Sequence, residues 1–228
     1  MEYLHNGFTL ELCPGAFPLS TDSMALSGFV RLPRQAKVLD LGSGCGTLGM
    51  LLCAKDPGCT VTGIEVNEDA HRMALHNIEV NGLTSRLSSI CADLRTVHSF
   101  LTPDSFHCCV SNPPYFSARQ ESANSSQRHE TICSLDGLFT AAAWAIRYGG
   151  DFFLVHKPER LSEVCACATA HKLEPKRLLL LRHRPGDPIS LVLLQCRKGA
   201  KPGLTIEEEC LQDACGEHSA YYRKLYHI

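Results

Sequence analysis

From residue 36 to residue 156 the chain alternates short apolar runs with longer segments of helical spacing. The runs are "AKVLDL" (36–41), "TVTGIEV" (60–66), "RLSSICA" (86–92), "HCCVS" (107–111) and "DFFLVH" (151–156). Between them, residues 47–55, 68–81 and 135–148 carry apolar positions at helical spacing; the second closes at Asn81-Gly82 and the third at Gly149-Gly150. Alternation of strand and helix places helices on both faces of one parallel sheet, a doubly wound α/β architecture. Residues 159–172 read as a further helix. Strands over 176–183 and 188–196 flank Pro185-Gly186 as an antiparallel hairpin at the sheet edge.

With 228 residues, 44% hydrophobic and 20% charged, the expectation is a single domain over 1–228, with an N-terminal extension (1–35) and a C-terminal tail (199–228). No run of about 18 apolar residues occurs, and the acidic start "MEYLHNGFTLELCPG" lacks the basic flank of a secretory signal; a cytoplasmic protein that does not engage a membrane is expected. The thirteen cysteines are scattered, mostly within apolar runs, and show no zinc-hook or redox spacing, so they are expected as reduced core thiols with no metal bound. A net charge of −2 argues against indiscriminate nucleic-acid binding. Residues 171–201, however, hold eight Lys/Arg against two acids, either a basic face or solvated strand edges.

In such a sheet, ligands lie beyond the carboxyl ends of the strands. "LDLGSGCGTLG" (39–49) leaves the first strand there, with Gly42, Ser43, Gly44 and Gly46 forming a turn that brings backbone close to a ligand. Gly44-x-Gly46-x-x-Gly49 also matches the dinucleotide fingerprint. A pyrophosphate, though, prefers helix N-terminal amides without a nearby anion. Here Asp40 precedes the turn and no Lys or Arg lies within it, which favours a ligand carrying positive charge, such as S-adenosylmethionine; a turn without a ligand is the alternative. Glu65, with Val66 after it, ends the next strand, and Asp93, with Leu94, follows the one after that. An acid at the first position suits the two hydroxyls of a ribose, and one at the second suits an adenine amino group.

The fourth strand runs into Asn112-Pro113-Pro114-Tyr115-Phe116. Two prolines end the strand and stiffen the backbone beyond it. The stretch is either a terminator or a cradle that offers the Asn112 amide, a fixed carbonyl and an aromatic ring to a flat substrate. Residues 117–134, "SARQESANSSQRHETICS", lack periodicity and read as a substrate loop.

"VLDLGSGCG", Glu65 in "GIEVN", Asp93 in "ADL" and "NPPY" at 112–115 resemble, in order and spacing, the class I S-adenosylmethionine-dependent methyltransferases, in the form that methylates planar nitrogens. The resemblance implies a Rossmann-like sheet, here seven-stranded and mostly parallel with the antiparallel C-terminal edge hairpin. It also implies that Asn112, Pro113, Pro114 and Tyr115 form the catalytic cradle. The cofactor would be held by Asp40, Gly42, Ser43, Gly44, Gly46, Glu65, Val66, Asp93, Leu94 and Asn112. From "GFTLELCPGAFPLSTDSMAL" (7–26) onward the chain is similar to the bacterial tRNA1(Val) adenine N6-methyltransferase family, in which a Thr-Asp pair, here Thr21-Asp22, leads into the first helix. That likeness adds Asp22 near the methionyl end of the cofactor. For tRNA it adds Tyr115 and Phe116 as stacking surfaces, with Arg128 and His129 as pocket or phosphate contacts. Protein glutamine N5-methylation of release factors uses the same cradle and stays open, as does an inactive RNA-binding module.

Overall fold

The structure is a computed structural model that describes residues 1–4, 7–15, 19–113 and 134–228. Strands β1 (Glu2–Tyr3) and β2 (Thr9–Leu10) pair antiparallel as a small N-terminal ribbon. Helix α1 (Thr21–Phe29) follows, capped by Ser20, whose Oγ accepts from the Ser23 amide. The alternating core is β3 (Lys37–Leu41), α2 (Thr47–Lys55), β4 (Thr60–Glu65), α3 (Glu68–Val80), β5 (Leu87–Cys91) and β6 (Phe106–Ser111). It continues with α4 (Leu135–Ala145), β7 (Ile146–His156), α5 (Leu161–Ala170), β8 (Leu173–Arg182), β9 (Ile189–Lys198), β10 (Thr205–Cys210) and α6 (Ala220–Tyr226).

Among the described residues, eight strands form one sheet in the order β10-β8-β9-β7-β6-β3-β4-β5. The pairs joining β7, β6, β3, β4 and β5 are parallel, whereas β9 is antiparallel to both β7 and β8. The doubly wound sheet with a C-terminal hairpin is thus present, with one strand more than the seven expected. That strand, β10, pairs parallel with β8 and takes the edge from the hairpin. Its sequence "TIEEEC" hides it: an outermost strand can be polar on both faces, and acidic side chains guard its unpaired edge.

Both sheet faces are covered, and the central strands divide their side chains between two cores. Along β7, Phe152 and Leu154 join Phe139 and Ala142 of α4 on one face; Phe153 and Val155 join Leu26 and Phe29 of α1 on the other. Edge-to-face rings lock each side, Phe139 on Phe152 at 5.2 Å and Phe29 on Phe153 at 6.2 Å between centroids. The adjacent cysteines Cys108 and Cys109 point to opposite cores, and the twelve cysteines among the described residues are free thiols. No helix among the described residues is long and apolar enough to cross a membrane.

Element boundaries shift by one to three residues from the sequence expectation at several places, and one differs by more. The helix predicted over 135–148 stops at Ala145, and Gly149-Gly150 lie inside β7 instead of closing the helix. Phe106 pairs with Ile146 but Cys108 pairs with Asp151, so a two-residue step on β6 faces a five-residue step on β7. Gly149 takes φ 76°, and a Cβ on Gly150 would meet the His107 carbonyl at 2.6 Å, which is why the bulge needs glycine. Half of the basic run at 171–201 is also compensated. Arg177 and Arg182 pair with Glu207 and Glu208 of β10, Arg197 with Asp151 and Lys198 with Asp104.

Candidate active site

The chain crosses from β5 at one end of the sheet back to β6 on the far side of β3, so the strand order reverses between β3 and β6. A crevice opens at such a reversal, beyond the carboxyl ends of the strands. Along this edge the sheet order presents Asn112 after β6, the glycine turn after β3, Glu65 and Val66 at the end of β4, and Asp93 after β5. At about 4.8 Å between neighbouring strands, this row spans roughly 15 Å.

The turn is built by positive φ at Gly42 (76°), Gly44 (54°) and Gly46 (85°), and a Cβ on Gly42 or Gly44 would point into open space. The amides of Gly42 and Ser43 both donate to the Ile64 carbonyl at 3.0 Å, anchoring the turn to β4. Gly46 caps α2, and Gly49 lets that helix lie on the sheet, since its Cβ would come within 2.7 Å of Leu87. Glu65 accepts from the Gly44 amide through Oε2 and from the Asn67 amide through Oε1, each at 2.8 Å. Each oxygen still has acceptor capacity for a further donor. Val66 is 43% exposed beside it, an apolar surface at the strand end.

Asp40 is 2% exposed behind the turn, and its Oδ2 has no hydrogen-bond partner among the described residues; the same holds for the buried Ser43 Oγ. Burial first, then the neighbouring Glu65, push the Asp40 carboxyl up from 3.8 to about 7, while the Gly49 amide pulls it down. Two orphaned oxygens beneath a glycine cradle, next to an acid, fit a ligand that brings hydrogen-bond donors and positive charge. Asp93 caps the 3-10 turn Leu94–Ser99 and grips Arg95, which holds its carboxyl below the usual range. Leu94 turns its side chain into the core beneath, leaving only its backbone at the edge. Asp22 sits half-buried in the first turn of α1.

Two positions that the sequence did not single out organise this edge. Asn112 Nδ2 donates to Ser23 Oγ at 3.0 Å, so α1 holds the amide. Asn77, fully buried on α3, accepts from the Glu11 amide and donates to the Glu11 and Cys45 carbonyls, tying the N-terminal segment to the glycine turn. Cys13 Sγ then lies 3.7 Å from Cys45 Sγ. Ser23 follows the Thr21-Asp22 pair directly, and Asn77 is a polar residue on an apolar helix face; either pattern could have flagged them. Ser111 Oγ donates to the Leu41 carbonyl at 2.7 Å and joins the ends of β6 and β3, and Pro113 is buried. Pro114, Tyr115, Phe116, Arg128 and His129 lie outside the described residues, as does the predicted loop up to residue 133.

The profile of the methyltransferase small domain matches residues 22–165. Among curated relatives, the chain is 29% identical over 215 residues to the tRNA1(Val) (adenine(37)-N6)-methyltransferase of Tolumonas auensis, covering 92% of this chain and 88% of that protein. Among solved structures, it resembles a predicted O-methyltransferase from Agrobacterium tumefaciens with a TM-score of 0.77 and 21% identity, over 91% of this chain and 96% of that one. It also resembles the geranyl diphosphate C-methyltransferase of Streptomyces coelicolor, solved with S-adenosyl-L-homocysteine, with a TM-score of 0.60 and 10% identity, over 77% and 79% of the two chains.

Proposed function

The chain belongs to the methyltransferase small-domain family, and from that premise we propose that it methylates the exocyclic amino nitrogen of an adenine in tRNA, with S-adenosylmethionine as the methyl donor. One observation carries the reading: Asn112 stands at the switch point, one strand from the glycine turn and in line with Glu65 and Asp93. The row offers acceptors in the order that such a donor requires. Asp40 and Asp22 lie toward its cationic amino-acid end, Glu65 takes the ribose hydroxyls, and Asp93 takes the adenine amino group. Ser43, the backbone of Gly42, Gly44, Gly46 and Leu94, and the apolar surface of Val66 line the path between.

S-adenosylmethionine, when bound, supplies a methyl group already activated by its sulfonium charge. What the protein must add is a nucleophile with its lone pair free, because an adenine amino nitrogen delocalises that pair into the ring. The Asn112 side-chain carbonyl and the Pro113 main-chain carbonyl accept the two amino hydrogens and draw the nitrogen out of conjugation. Ser23 keeps the amide from rotating, and the proline after Pro113 stiffens its carbonyl. Asn112 is neutral and serves by orientation, which is worth on the order of 7–11 kcal/mol in well-aligned systems; the proton passes to solvent after transfer. Tyr115 and Phe116 provide the stacking surface for a base turned out of its helix, and Arg128 and His129 contact the pocket or the RNA phosphates.

The relative from Tolumonas auensis, similar over nearly the whole chain and named for adenine methylation in tRNA, supports adenine over a protein glutamine. The test supplies labelled cofactor together with tRNA lacking the modification and with release factor, and then analyses the nucleosides. Label in N6-methyladenosine is expected. Label confined to protein glutamine would replace this substrate with the other.

A further inference from the structure

At the opposite end of the sheet, the amino ends of β6 and β7 border a cavity of about 500 Å³. Among the described residues, Arg31, His107, Arg147, Lys176, Arg177 and Arg197 line it, with Asp151 as the one acid. Two of these cations are already neutralised. Arg197 forks onto Asp151 at 2.9 and 3.0 Å; Arg177 pairs with Glu207 at 3.3 Å, bonds Gln195 at 3.1 Å and lies over the Phe29 ring. Arg31, Arg147 and Lys176 have no carboxylate within ion-pair distance among the described residues, so the cavity keeps three uncompensated positive charges.

The bulge in β7 makes this charge local. The five-residue step from Ile146 to Asp151 throws Arg147 out of the ladder and sets it at the cavity mouth, with the positive φ of Gly149 allowing the turn. His107 adds a neutral donor. Its Nδ1 accepts from the Lys37 amide at 3.0 Å, which leaves the ring proton on Nε2, and burial together with the charges of Arg147 and Lys37 lowers its pKa. Guanidinium forks match phosphate oxygens in pairs, and a volume of this size suits a nucleotide-sized ligand. A single carboxylate would leave most of the charge unbalanced; a doubly or triply charged anion would not.

We propose that this cavity is a second ligand site, for two adjacent phosphates, presented either by a free diphosphate or by consecutive residues of an RNA backbone. It lies roughly 16 Å from Asn112, five residues down β6 at about 3.3 Å each. The site therefore acts apart from methyl transfer, and it stands whether or not adenine is the substrate.

The test uses the full chain, with pyrophosphate as probe in calorimetric titration at 0.1 M salt, and the exposed pair Arg31→Glu/Arg147→Glu, backed by the milder Arg31→Gln/Arg147→Gln. Pyrophosphate affinity is expected to fall at least tenfold in both variants while S-adenosylmethionine affinity holds. A second arm follows tRNA affinity against salt, where each lost phosphate contact lowers the log–log slope by about 0.9. A slope reduced by one to two contacts assigns the phosphates to RNA, whether or not pyrophosphate is held. An unchanged slope with lost pyrophosphate binding assigns them to a free diphosphate. If wild-type pyrophosphate binding is absent or indifferent to both variants, and the tRNA slope is also unmoved, the proposal is overturned.

Discussion

Replacing Asp40 by Asn should make the protein without cofactor more stable at alkaline pH and less able to use its cofactor. The carboxyl is buried, carries an oxygen with no partner among the described residues and sits against Glu65, which together raise it from 3.8 to about 7. Between those two values the folded protein holds a proton that the unfolded chain has released. Stability contributed by the protonated form is therefore full at low pH and declines as pH rises through 7, the reverse of a salt-bridged carboxylate. At about 1.4 kcal/mol per decade, ionising Asp40 in place costs on the order of 4 kcal/mol. Denaturant unfolding of wild type and Asp40→Asn at pH 5 and pH 8 isolates this contribution, because histidine titrations are common to both. The variant should gain on wild type by about 2.5–3 kcal/mol between the two pH values, since only the two decades from pH 5 to pH 7 fall inside that window. A ligand bringing positive charge to the turn would return Asp40 toward its ordinary range. Cofactor binding near pH 6 should then release up to one proton, visible as a dependence of the calorimetric heat on buffer ionisation. Parallel pH profiles for the two proteins, with no proton released on binding, would refute the placement of Asp40 beneath a cationic ligand.

Three further substitutions probe the same edge. Glu65→Gln removes the charge that accepts from the Gly44 and Asn67 amides and one acceptor for the ribose. Cofactor dissociation constants from calorimetry should rise about 10- to 150-fold, equivalent to roughly 1.5–3 kcal/mol. Ser23→Ala removes the partner of Asn112 Nδ2 without touching the glycine turn. Single-turnover transfer should slow by about 5- to 30-fold, from roughly 1–2 kcal/mol, while cofactor affinity stays within twofold; Ser23→Thr should restore much of the rate. Gly46→Ala places a side chain at φ 85° where the space toward Ala74 is ordinary contact distance. The cost is backbone strain of about 1–2 kcal/mol, read as a loss of a few degrees in thermal midpoint.

The parts of this molecule most legible in its sequence were those buried on both sides. "VL" in "KVLDL", "CCV" in "HCCVS" and "FFLV" in "DFFLVH" are apolar because successive side chains enter one of two cores, so the strands announce themselves. The glycine turn and its two subsequent acids were equally plain, since positive φ and strand-end acids leave local marks. The features that escaped were set by distant parts of the chain. The end of α4 was displaced because β6 pairing pulled Ile146 into a bulged strand, a cross-strand effect invisible in 135–148 alone. β10 escaped because an edge strand need not be apolar, and two of its glutamates, Glu207 and Glu208, in turn compensate arginines that looked like a basic face. Ser23 escaped because its significance depends on Asn112, 89 residues away.

The most direct test of the central claim separates cofactor binding from transfer at Asn112. S-adenosylmethionine affinity is measured by calorimetry for wild type and Asn112→Ala, and single-turnover transfer to tRNA lacking the modification is measured for both. The account predicts that affinity stays within a few-fold while transfer falls by at least two to three orders of magnitude, because the amide orients the nucleophile and the donor is held by the neighbouring strands. Transfer that survives in Asn112→Ala, or affinity that collapses along with it, would contradict the role assigned to the cradle.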